Sequence, residues 1–455
     1  MSTRHRSASR HAGPARLAWL MVLGVSLSAV RPSPAAETQW WVSDSPEDYA
    51  KSETRGLVVR PDGALELGPT ARFTAAESLG VVWAAVVMRD GSVALAGDRG
   101  LVLRYRENAG FDVMARLPVG QVLSLAADGE GLVAGSGPEG LVYRIGARGD
   151  TALVARTGER YVWGLAPDGD GGWYAATGTR GRLLRIRGRD ARIVLDTEES
   201  NLVSLVGGPR GVVFAGGDSR GRIYRAGGGR DPHTVYDAGE DEVRALALGA
   251  DGALYAAGLS ASAVSEDEGE AGQRPAPVKS AVSGGRAVVY RIVPDSVAST
   301  VWTSPQPFVF ALAASPAGMV AGTGNRAGLY LLDASGATQW LQGPQGQITA
   351  MAAARGVVYA ATSNPAGLWR VGPGKAAEGE LLSQVYDARR FASFGAVRWR
   401  GDPGGSTVRL STRSGNTDPL DSTWSAWSRG GSGDEPRSAA PPARHFQWRL
   451  EVSGG

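Results

Sequence analysis

The stretch Gly100-Leu-Val-Leu-Arg-Tyr recurs with small changes as Gly140-Leu-Val-Tyr-Arg-Ile, Gly181-Arg-Leu-Leu-Arg-Ile and Gly221-Arg-Ile-Tyr-Arg. Weaker copies follow at Arg286-Ala-Val-Val-Tyr-Arg-Ile, Gly328-Leu-Tyr-Leu-Leu and Gly367-Leu-Trp-Arg-Val. Successive copies lie about 40 residues apart, except for one gap of about 65 between the fourth and the fifth. A period of this length is typical of repeat architectures, in which each copy is one supersecondary unit.

Each copy contains four short apolar stretches. The repeated stretch quoted above is preceded by a small-residue strand and, before that, by a strand that starts at an aliphatic residue. Those starting residues are Val82, Val122, Val162, Leu202, Val243, Val309 and Ile348. A fourth stretch closes each copy, and in the last copy this is the segment 381–386. Turns such as Asp90-Gly91 and Asp168-Gly169 suit tight hairpins between these strands.

Four strands in about 40 residues is the pattern of a β-propeller blade, whose sheet must stack on its neighbours to bury both faces. Helical and leucine-rich repeats fit worse, because the copies contain neither a helix pattern nor a leucine ladder. We therefore predict an all-β protein with a seven-bladed propeller over residues 80–388. The seventh copy supplies four stretches by itself, so we expect the ring to close without a strand from the N-terminal segment.

The repeats resemble known sequences. Patterns reading Val-Trp-x-Leu-Ala, Asp-Gly-x-Leu-Tyr-Ala-Ala and Gly-x-Leu-Tyr-Arg-Ile look like bacterial secreted propellers of the WD40/YVTN-like or two-component-regulator kind. The resemblance covers about two thirds of the chain and implies the fold rather than an activity. Propellers of this kind include binding modules, scaffolds, lyases and hydrolases.

The composition excludes several classes of site. The 455-residue chain has no cysteine, which rules out disulfides, cysteine-ligated metals and a thiol nucleophile. The first 36 residues hold five arginines and no acid, so the rest of the chain has 43 basic and 45 acidic residues. A balance this close to neutral gives no support for nucleic acid or an anionic membrane as partner.

The N-terminus resembles a secretory signal. Arginines come first, an apolar run follows from Leu17 to Val30, and small residues lie at Ser33, Ala35 and Ala36. The apolar run is shorter than the roughly 20 residues that span a bilayer. We therefore predict a signal peptide over residues 1–36 and an exported protein without a membrane span in the mature chain.

Three segments fall outside the repeats. Residues 37–79 contain a predicted hairpin around Pro61-Asp62-Gly63. An insertion at about 259–285 is rich in acid, proline and serine, which predicts a solvated loop; a calcium site is the alternative, although the ligand spacing is poor. Residues 389–455 predict a small β-sandwich module that is short of the roughly 100 residues such a fold takes. We expect strands at 394–399, 407–412, 424–427 and 445–452.

Four tryptophans of this last module, Trp399, Trp424, Trp427 and Trp448, allow either core packing or stacking on sugar rings, and their alternation favours packing.

The sequence offers little for catalysis. Only His233 and His445 follow the predicted signal peptide, so neither a three-histidine zinc site nor a serine–histidine–aspartate triad can be built within a blade. Paired acids such as Asp168 with Asp170, Glu198 with Glu199, and Glu240 to Glu242 lie in turns, where we expect solvated side chains. We predict no catalytic residue, no metal and no cofactor.

The loops on one face of the propeller form the candidate binding surface. They connect the second strand of a blade to the third, and each blade to the next. The candidate residues in or near them are Arg99, Arg180, Arg220, Arg326, Tyr161, Asn201, Glu242, Trp83, Trp163 and Phe310. The arginines would attract carboxylate or sulfate groups. The three large aromatics share one repeat position, where wedging between blades is the competing interpretation.

From this surface we predict an exported binding or scaffold module for a protein or glycan. The alternative is a propeller lyase or glycoside hydrolase that uses rim carboxylates and arginines. A sensor role is a third possibility, although no kinase or membrane segment follows the repeats.

Overall fold

The computed structural model describes residues 38–260, 285–293, 296–428, 431–432 and 437–454. The chain divides into a unit that ends at Val42 and a second unit, Ser43–Gly455. Residues 38–42 have no regular secondary structure. The predicted signal peptide and nearly all of the predicted insertion lie outside the described residues.

The second unit begins with short elements. A single turn of 3₁₀ helix spans Pro46–Tyr49. It is followed by the strands β1 (Glu53–Arg55), β2 (Leu57–Val59), β3 (Leu65–Leu67) and β4 (Pro69–Ala75). Strands β2 and β3 pair as the predicted hairpin, and Gly63 in its turn has a φ of 79°. This hairpin prediction is therefore confirmed.

Four blades follow in sequence. Blade 1 contains β5 (Val82–Val87), β6 (Val93–Gly97), β7 (Leu101–Arg106) and β8 (Gly110–Arg116). Blade 2 contains β9 (Gln121–Asp128), β10 (Gly131–Gly137), β11 (Leu141–Ile145) and β12 (Thr151–Arg156). Blade 3 contains β13 (Tyr161–Pro167), β14 (Trp173–Gly178), β15 (Arg182–Arg187) and β16 (Asp190–Asp196). Blade 4 contains β17 (Leu202–Gly207), a 3₁₀ turn (Pro209–Gly211), β18 (Val212–Gly217), β19 (Arg222–Gly227) and β20 (Arg230–Asp237).

Three more sheets complete the set. Blade 5 contains β21 (Glu242–Leu248), β22 (Leu254–Ser260), β23 (Arg286–Ile292) and β24 (Ala298–Ser304). Blade 6 contains β25 (Val309–Ser315), β26 (Gly318–Thr323), β27 (Gly328–Asp333) and β28 (Gly336–Gln342). Blade 7 contains β29 (Gln347–Ala354), β30 (Val357–Ser363), β31 (Gly367–Lys375) and the early strand β4. The described residues thus hold seven four-stranded antiparallel sheets.

The first strands of the blades form the inside of a ring. Each contacts the first strand of the next blade, and β29 contacts β5. The aliphatic residues that the sequence marked as strand starts, from Val82 to Ile348, are all fully buried. Hydrogen bonds also join neighbours, since the Ser124 and Ser204 hydroxyls donate to the carbonyl oxygens of Val162 and Val243 at 2.8 and 2.7 Å. The all-β propeller prediction is confirmed.

The hydrophobic core lies between the sheets rather than within one centre. Within the ring, each cluster of buried side chains draws on two adjacent blades, as where Leu95 and Leu103 of blade 1 meet Val357 and Leu368 of blade 7. Because burying a leucine stabilises a protein by about 1.5–3 kcal/mol, a blade without its neighbours would lose most of its support. Closure of the ring is therefore part of its stability.

Ring closure uses the N-terminal segment, so our expectation about blade 7 was wrong. Strand β4 is the outermost strand of that blade and pairs with β31, with Phe73 opposite Trp369 and their rings 5.2 Å apart. The segment 381–386, which we predicted to fill this place, lies in another sheet. An open edge of blade 7 leaves peptide groups unpaired, and a strand from the other end of the chain satisfies them.

The C-terminal part forms a single sheet that also includes a strand from the N-terminal segment. Its own strands are β32 (Glu378–Leu382), β33 (Tyr386–Ala392), β34 (Thr407–Gly415), β35 (Gly431–Ser432) and β36 (Ala443–Ser453). The order is β1-β32-β36-β34-β35, and β33 also pairs with β36. The boundary predicted at residue 388 was therefore wrong, because β32, β33 and the N-terminal β1 all belong to this sheet.

The hydrophobic core of this module explains why segments before residue 388 belong to it. Leu57 of the hairpin packs with Leu381, Leu410 and Leu450 of the sheet. The predicted strands at 407–412 and 445–452 lie within β34 and β36, whereas 394–399 and 424–427 are not strands.

The module's tryptophans are packed. The guanidinium carbons of Arg413 and Arg449 lie 4.4 and 4.9 Å from the ring centre of Trp427, and Trp424 is buried. Trp399 and Trp448 are partly buried against the leucine core. This arrangement favours core packing over sugar stacking.

Candidate functional site

A repeated register organises the loop face, meaning the face that carries the predicted binding loops. We call the fully buried aliphatic residue at each first strand the anchor. The residue three places before it contacts the interior of its own blade. The residues one place before it and one place after it belong to the inner rim of the loop face. Three of the predicted site residues, Tyr161, Asn201 and Glu242, precede their anchors by one place.

The residue after each anchor forms a β-bulge. In blade 3 the strand pairing passes from Val162 to Gly164, so that Trp163 has no partner in β14. The same skip occurs at all seven first strands, and the bulged residues are Trp83, Leu123, Trp163, Val203, Arg244, Phe310 and Thr349. A bulge re-aims a side chain without ending the sheet. The structure thus places the predicted Trp83, Trp163 and Phe310 at one equivalent position.

Glycines make room for two of these rings. A Cβ atom at Gly178 would lie 2.9 Å from Nε1 of Trp163, and one at Gly324 would lie 2.9 Å from the Phe310 ring. Gly178 ends the second strand of its blade and Gly324 directly follows that of its own, where the loop face begins. Any larger residue there would displace the aromatic side chain.

The contacts run continuously from blade 3 to blade 4. The rings of Tyr161 and Trp163 lie 5.3 Å apart at an angle of 30°. The indole Nε1 of Trp163 donates to Oδ1 of Asn201 at 3.2 Å, and Nδ2 of Asn201 donates to Oδ2 of Asp218 at 2.5 Å. The backbone N–H of Asn201 also donates to Asp218, at 2.7 Å. These bonds fix the Asp218 carboxylate with neutral donors.

Blade 5 continues this path. Burial raises the pKa of Glu242, and the negative charge of Asp218 raises it further, while Arg244 acts in the opposite direction. The ion pair with Arg244 is long, at 3.4 Å. The guanidinium of Arg244 also lies 5.9 Å from the ring centre of Phe310, which stacks on Phe308 at 5.4 Å. All these side chains are partly exposed.

We call this set of side chains the loop-face strip. It consists of Tyr161, Trp163, Asn201, Asp218, Glu242, Arg244, Phe308 and Phe310. Sequence reasoning missed Asp218, Arg244 and Phe308. The register held a signal for all three, since Arg244 follows its anchor and Phe308 precedes its own. Asp218 follows the residue that pairs with its anchor, as Asp98 does in blade 1.

Three of the predicted rim arginines are already paired. Arg99 contacts Asp98 at 2.9 Å, and Arg180 and Arg220 contact Glu159 and Glu198 at 2.8 Å each. Arg326 is exposed and has a φ of 75°. Trp83 lies in blade 1, where its indole Nε1 is enclosed without a hydrogen-bond partner among the described residues. The structure does not bring these five residues together with the loop-face strip.

The residue three places before the anchor fills the interior of its own blade, and we call it the plug. In blades 3, 4 and 5 it is a buried carboxylate: Glu159, Glu199 and Glu240. The side chain of Glu199 accepts hydrogen bonds from the backbone N–H groups of Ser219 and Arg220 at 2.8 Å each. Our expectation that Glu199 and Glu240 are solvated was therefore wrong, because each satisfies buried donors inside its blade.

Asp168, on the opposite face, is also buried. Burial alone would raise its pKa, but hydrogen bonds from the backbone of Asp170, from Arg185, from the backbone of Gly172 and from Arg187 outweigh it and lower the pKa to about 2. Arg185 is the arginine of the repeated stretch, and Arg144 and Arg291 pair with Asp128 and Asp251 in the same manner, at 2.6 Å each. The repeated arginine thus stabilises the hairpin turns.

The remaining chemistry is sparse within the described part of the chain. His233 lies in the outermost strand of blade 4 and His445 in β36. No three metal-binding side chains of the histidine, cysteine or acidic type come together among the described residues. None of the described helices has the length and apolar character needed to cross a bilayer.

Comparisons with known proteins show the fold alone. No protein-family model matches the chain, and no curated protein matches it either. A solved virginiamycin B lyase from Staphylococcus aureus superposes with a TM-score of 0.54 at 11% identity, covering 67% of this chain and all of the lyase. A streptogramin B lyase gives 0.52 at 12%, covering 67% and 98%. The WD40 β-propeller domain of Doa1 gives 0.51 at 14%, covering 68% and 98%.

Those structures include both a lyase and a WD40 domain, so the fold is compatible with either class of function.

Proposed function

We propose that this propeller is a binding module whose loop-face strip holds an extended peptide segment of a partner protein. The observation that carries the proposal is the succession of the strip's side chains over blades 3 to 6, with contacts that join blade 3 to blade 4 and blade 5 to blade 6. Partly exposed aromatics at both ends and hydrogen-bonding groups between them match the composition of protein-binding surfaces.

The rim contacts favour a peptide over an anionic glycan. A sulfated or carboxylated glycan needs free guanidinium groups, yet Arg99, Arg180 and Arg220 already bind carboxylates. Replacing a formed ion pair by another yields little affinity at an exposed site. The strip offers instead the mixture of rings, an amide and charges that alternating side chains of a peptide would fit.

The histidine positions support binding rather than a lyase reaction. One of the similar structures is a catalytically inactive histidine variant of virginiamycin B lyase with quinupristin. In this chain, His233 and His445 lie in an outer strand and in the C-terminal sheet, away from the loop-face strip.

A glycoside hydrolase is the second candidate, and one observation favours it. The pKa of Glu242 is raised, and Asp218 contributes to that shift. In a glycoside hydrolase, the carboxyl group with the raised pKa acts as the general acid and the other carboxyl group stays ionised. Chromogenic glycosides test this alternative directly. Hydrolysis that is lost in Glu242→Gln and kept in Glu198→Gln would replace the binding proposal.

Selection of a displayed random peptide library on the full chain tests the binding proposal. We expect one enriched motif whose affinity falls at least about tenfold in Trp163→Ala and in Phe310→Ala, since central aromatics dominate such interfaces. Phe391→Ala is the matched control, because that ring is 70% exposed and lies in β33. Thermal unfolding of each variant checks that the fold is intact. An enriched motif that binds both strip variants as tightly as the parent would overturn the proposal.

A further inference from the structure

The loops around blades 4 and 5 carry an unbalanced charge. The segments 197–201, 218–221 and 238–242 contain a single basic residue, Arg220. Their six acidic residues are Glu198, Glu199, Asp218, Glu240, Asp241 and Glu242. This part of the loop face is therefore acidic, opposite in sign to what the rim arginines led us to expect.

Most of these acids have a structural partner. Glu199 and Glu240 are plugs inside their blades, and Glu198 pairs with Arg220 at 2.8 Å. Asp218 differs, since Asn201 and Ser219, which donate hydrogen bonds to its carboxylate, are neutral. Glu242 has the long contact with Arg244, whose guanidinium also faces Phe310. Asp218 and Glu242 thus carry negative charge that one arginine only partly balances.

Aromatic rings flank this pair of carboxylates. Trp163 connects to Asp218 through Asn201 on one side, and Phe308 and Phe310 continue from Arg244 on the other. A cation between carboxylates and ring faces gains from ion pairing and from the ring quadrupole together. An acidic ligand group would meet repulsion at the same place.

We propose that the bound segment presents a lysine or arginine side chain to Asp218 and Glu242, with its aliphatic stem along Trp163. This inference rests on the proposed function. The surface is charge-complementary to a basic side chain, and the rings supply the apolar contact that its stem requires.

The same displayed library, selected in parallel on the parent chain and on the double variant Asp218→Asn with Glu242→Gln, tests this inference. We expect lysine or arginine at one fixed position of the parent's motif and no such preference on the double variant. Glu198→Gln is the matched control, because that acid lies on the same face but outside the strip, and it should keep the preference.

A synthetic peptide from the enriched motif then sharpens the result. Replacing its basic residue by glutamine should weaken binding to the parent about tenfold and to the double variant less than about twofold, which isolates the pair interaction. Both carboxylate substitutions keep the shape of the side chain, and thermal unfolding confirms folding.

The outcomes separate the two proposals. A motif that needs Trp163 and Phe310 but has no basic residue, or an acidic one, overturns this inference and leaves the binding function standing. A basic residue that binds the double variant equally well also overturns it. If no motif is enriched at all, both proposals fail.

Discussion

Glu240 and Glu242 lie two residues apart in the same connection between blades 4 and 5, yet they meet opposite surroundings. The Glu240 carboxylate is buried and accepts a hydrogen bond from the Tyr290 hydroxyl at 2.8 Å. Glu242 lies on the inner rim, with a long contact to Arg244 and a raised pKa. The register of the repeat thus separates acids that hold a blade together from acids that lie partly exposed on the inner rim.

The largest expected effect is at the best-satisfied plug. Glu199→Ala should lower the free energy of unfolding by about 3 kcal/mol, because several buried donors lose their acceptor at once. Chemical denaturation of the parent and the variant measures this difference. Glu198→Ala, which removes a side chain that is 66% exposed, should change stability by less than about 0.5 kcal/mol. Equal effects at both positions would contradict the division between plug and rim.

The opposite face extends the comparison to Asp168. Its lowered pKa of about 2, against an ordinary value of 3.8, means that the ionised form is favoured by folding. Asp168→Asn should therefore cost about 2 kcal/mol at neutral pH. The contribution is present above the ordinary pKa and is lost as the pH falls through about 2, so the gap between parent and variant should narrow from pH 4 to pH 2. Unfolding curves across that range check the sign, and a constant gap would refute it.

Removing the partner of a plug should have a smaller effect than removing the plug. Tyr290→Phe deletes the hydroxyl that donates to Glu240 and leaves the rest of the ring in place. We expect a loss of about 1–2 kcal/mol in unfolding free energy, because a buried carboxylate loses a donor. Tyr236→Phe is a matched control on a neighbouring ring 5.5 Å away. A larger loss for Tyr236→Phe than for Tyr290→Phe would argue against the role of Glu240.

Glu242→Gln should have the smallest effect on stability. The raised pKa means that folding disfavours the charged carboxylate, so stability from this group decreases as the pH rises through that pKa. At neutral pH we expect the variant to be as stable as the parent or slightly more so, within about 1 kcal/mol. Denaturant titration at pH 7 measures this. A loss of stability as large as that of Glu199→Ala would place Glu242 among the plugs.

The sequence was sufficient for the fold because the signal is local and repeated. Each anchor, hairpin turn and small-residue strand recurs in register, so a stretch that is ambiguous in one copy can be assigned from the others. The exception is ring closure. Strand β4 and the segment 381–386 are both short stretches of mixed polarity, and nothing local distinguishes which of them pairs with β31 across some 300 residues.

The candidate site was only partly predictable for a related reason. Trp163, Phe310 and Glu242 follow from the register, because positions beside an anchor share one environment. The ion pairs of Arg180 and Arg220 do not, since they depend on where long side chains from separate loops meet. The plugs were mistaken for surface acids because a turn residue is usually solvated, although their alignment with Gln345 in blade 7 offered a clue.

The two ends of the chain are interleaved, and this orders its assembly. Residues before position 76 complete blade 7 through β4 and extend the last sheet through β1, so both seams join early residues to late ones. A nascent chain emerging from a ribosome therefore has no partner for β4 until β31 has been synthesised, and none for β1 until β32 has followed. Until that moment the edges of both strands stay open to foreign strands, and a chaperone that covers β1 and β4 would protect the protein longest.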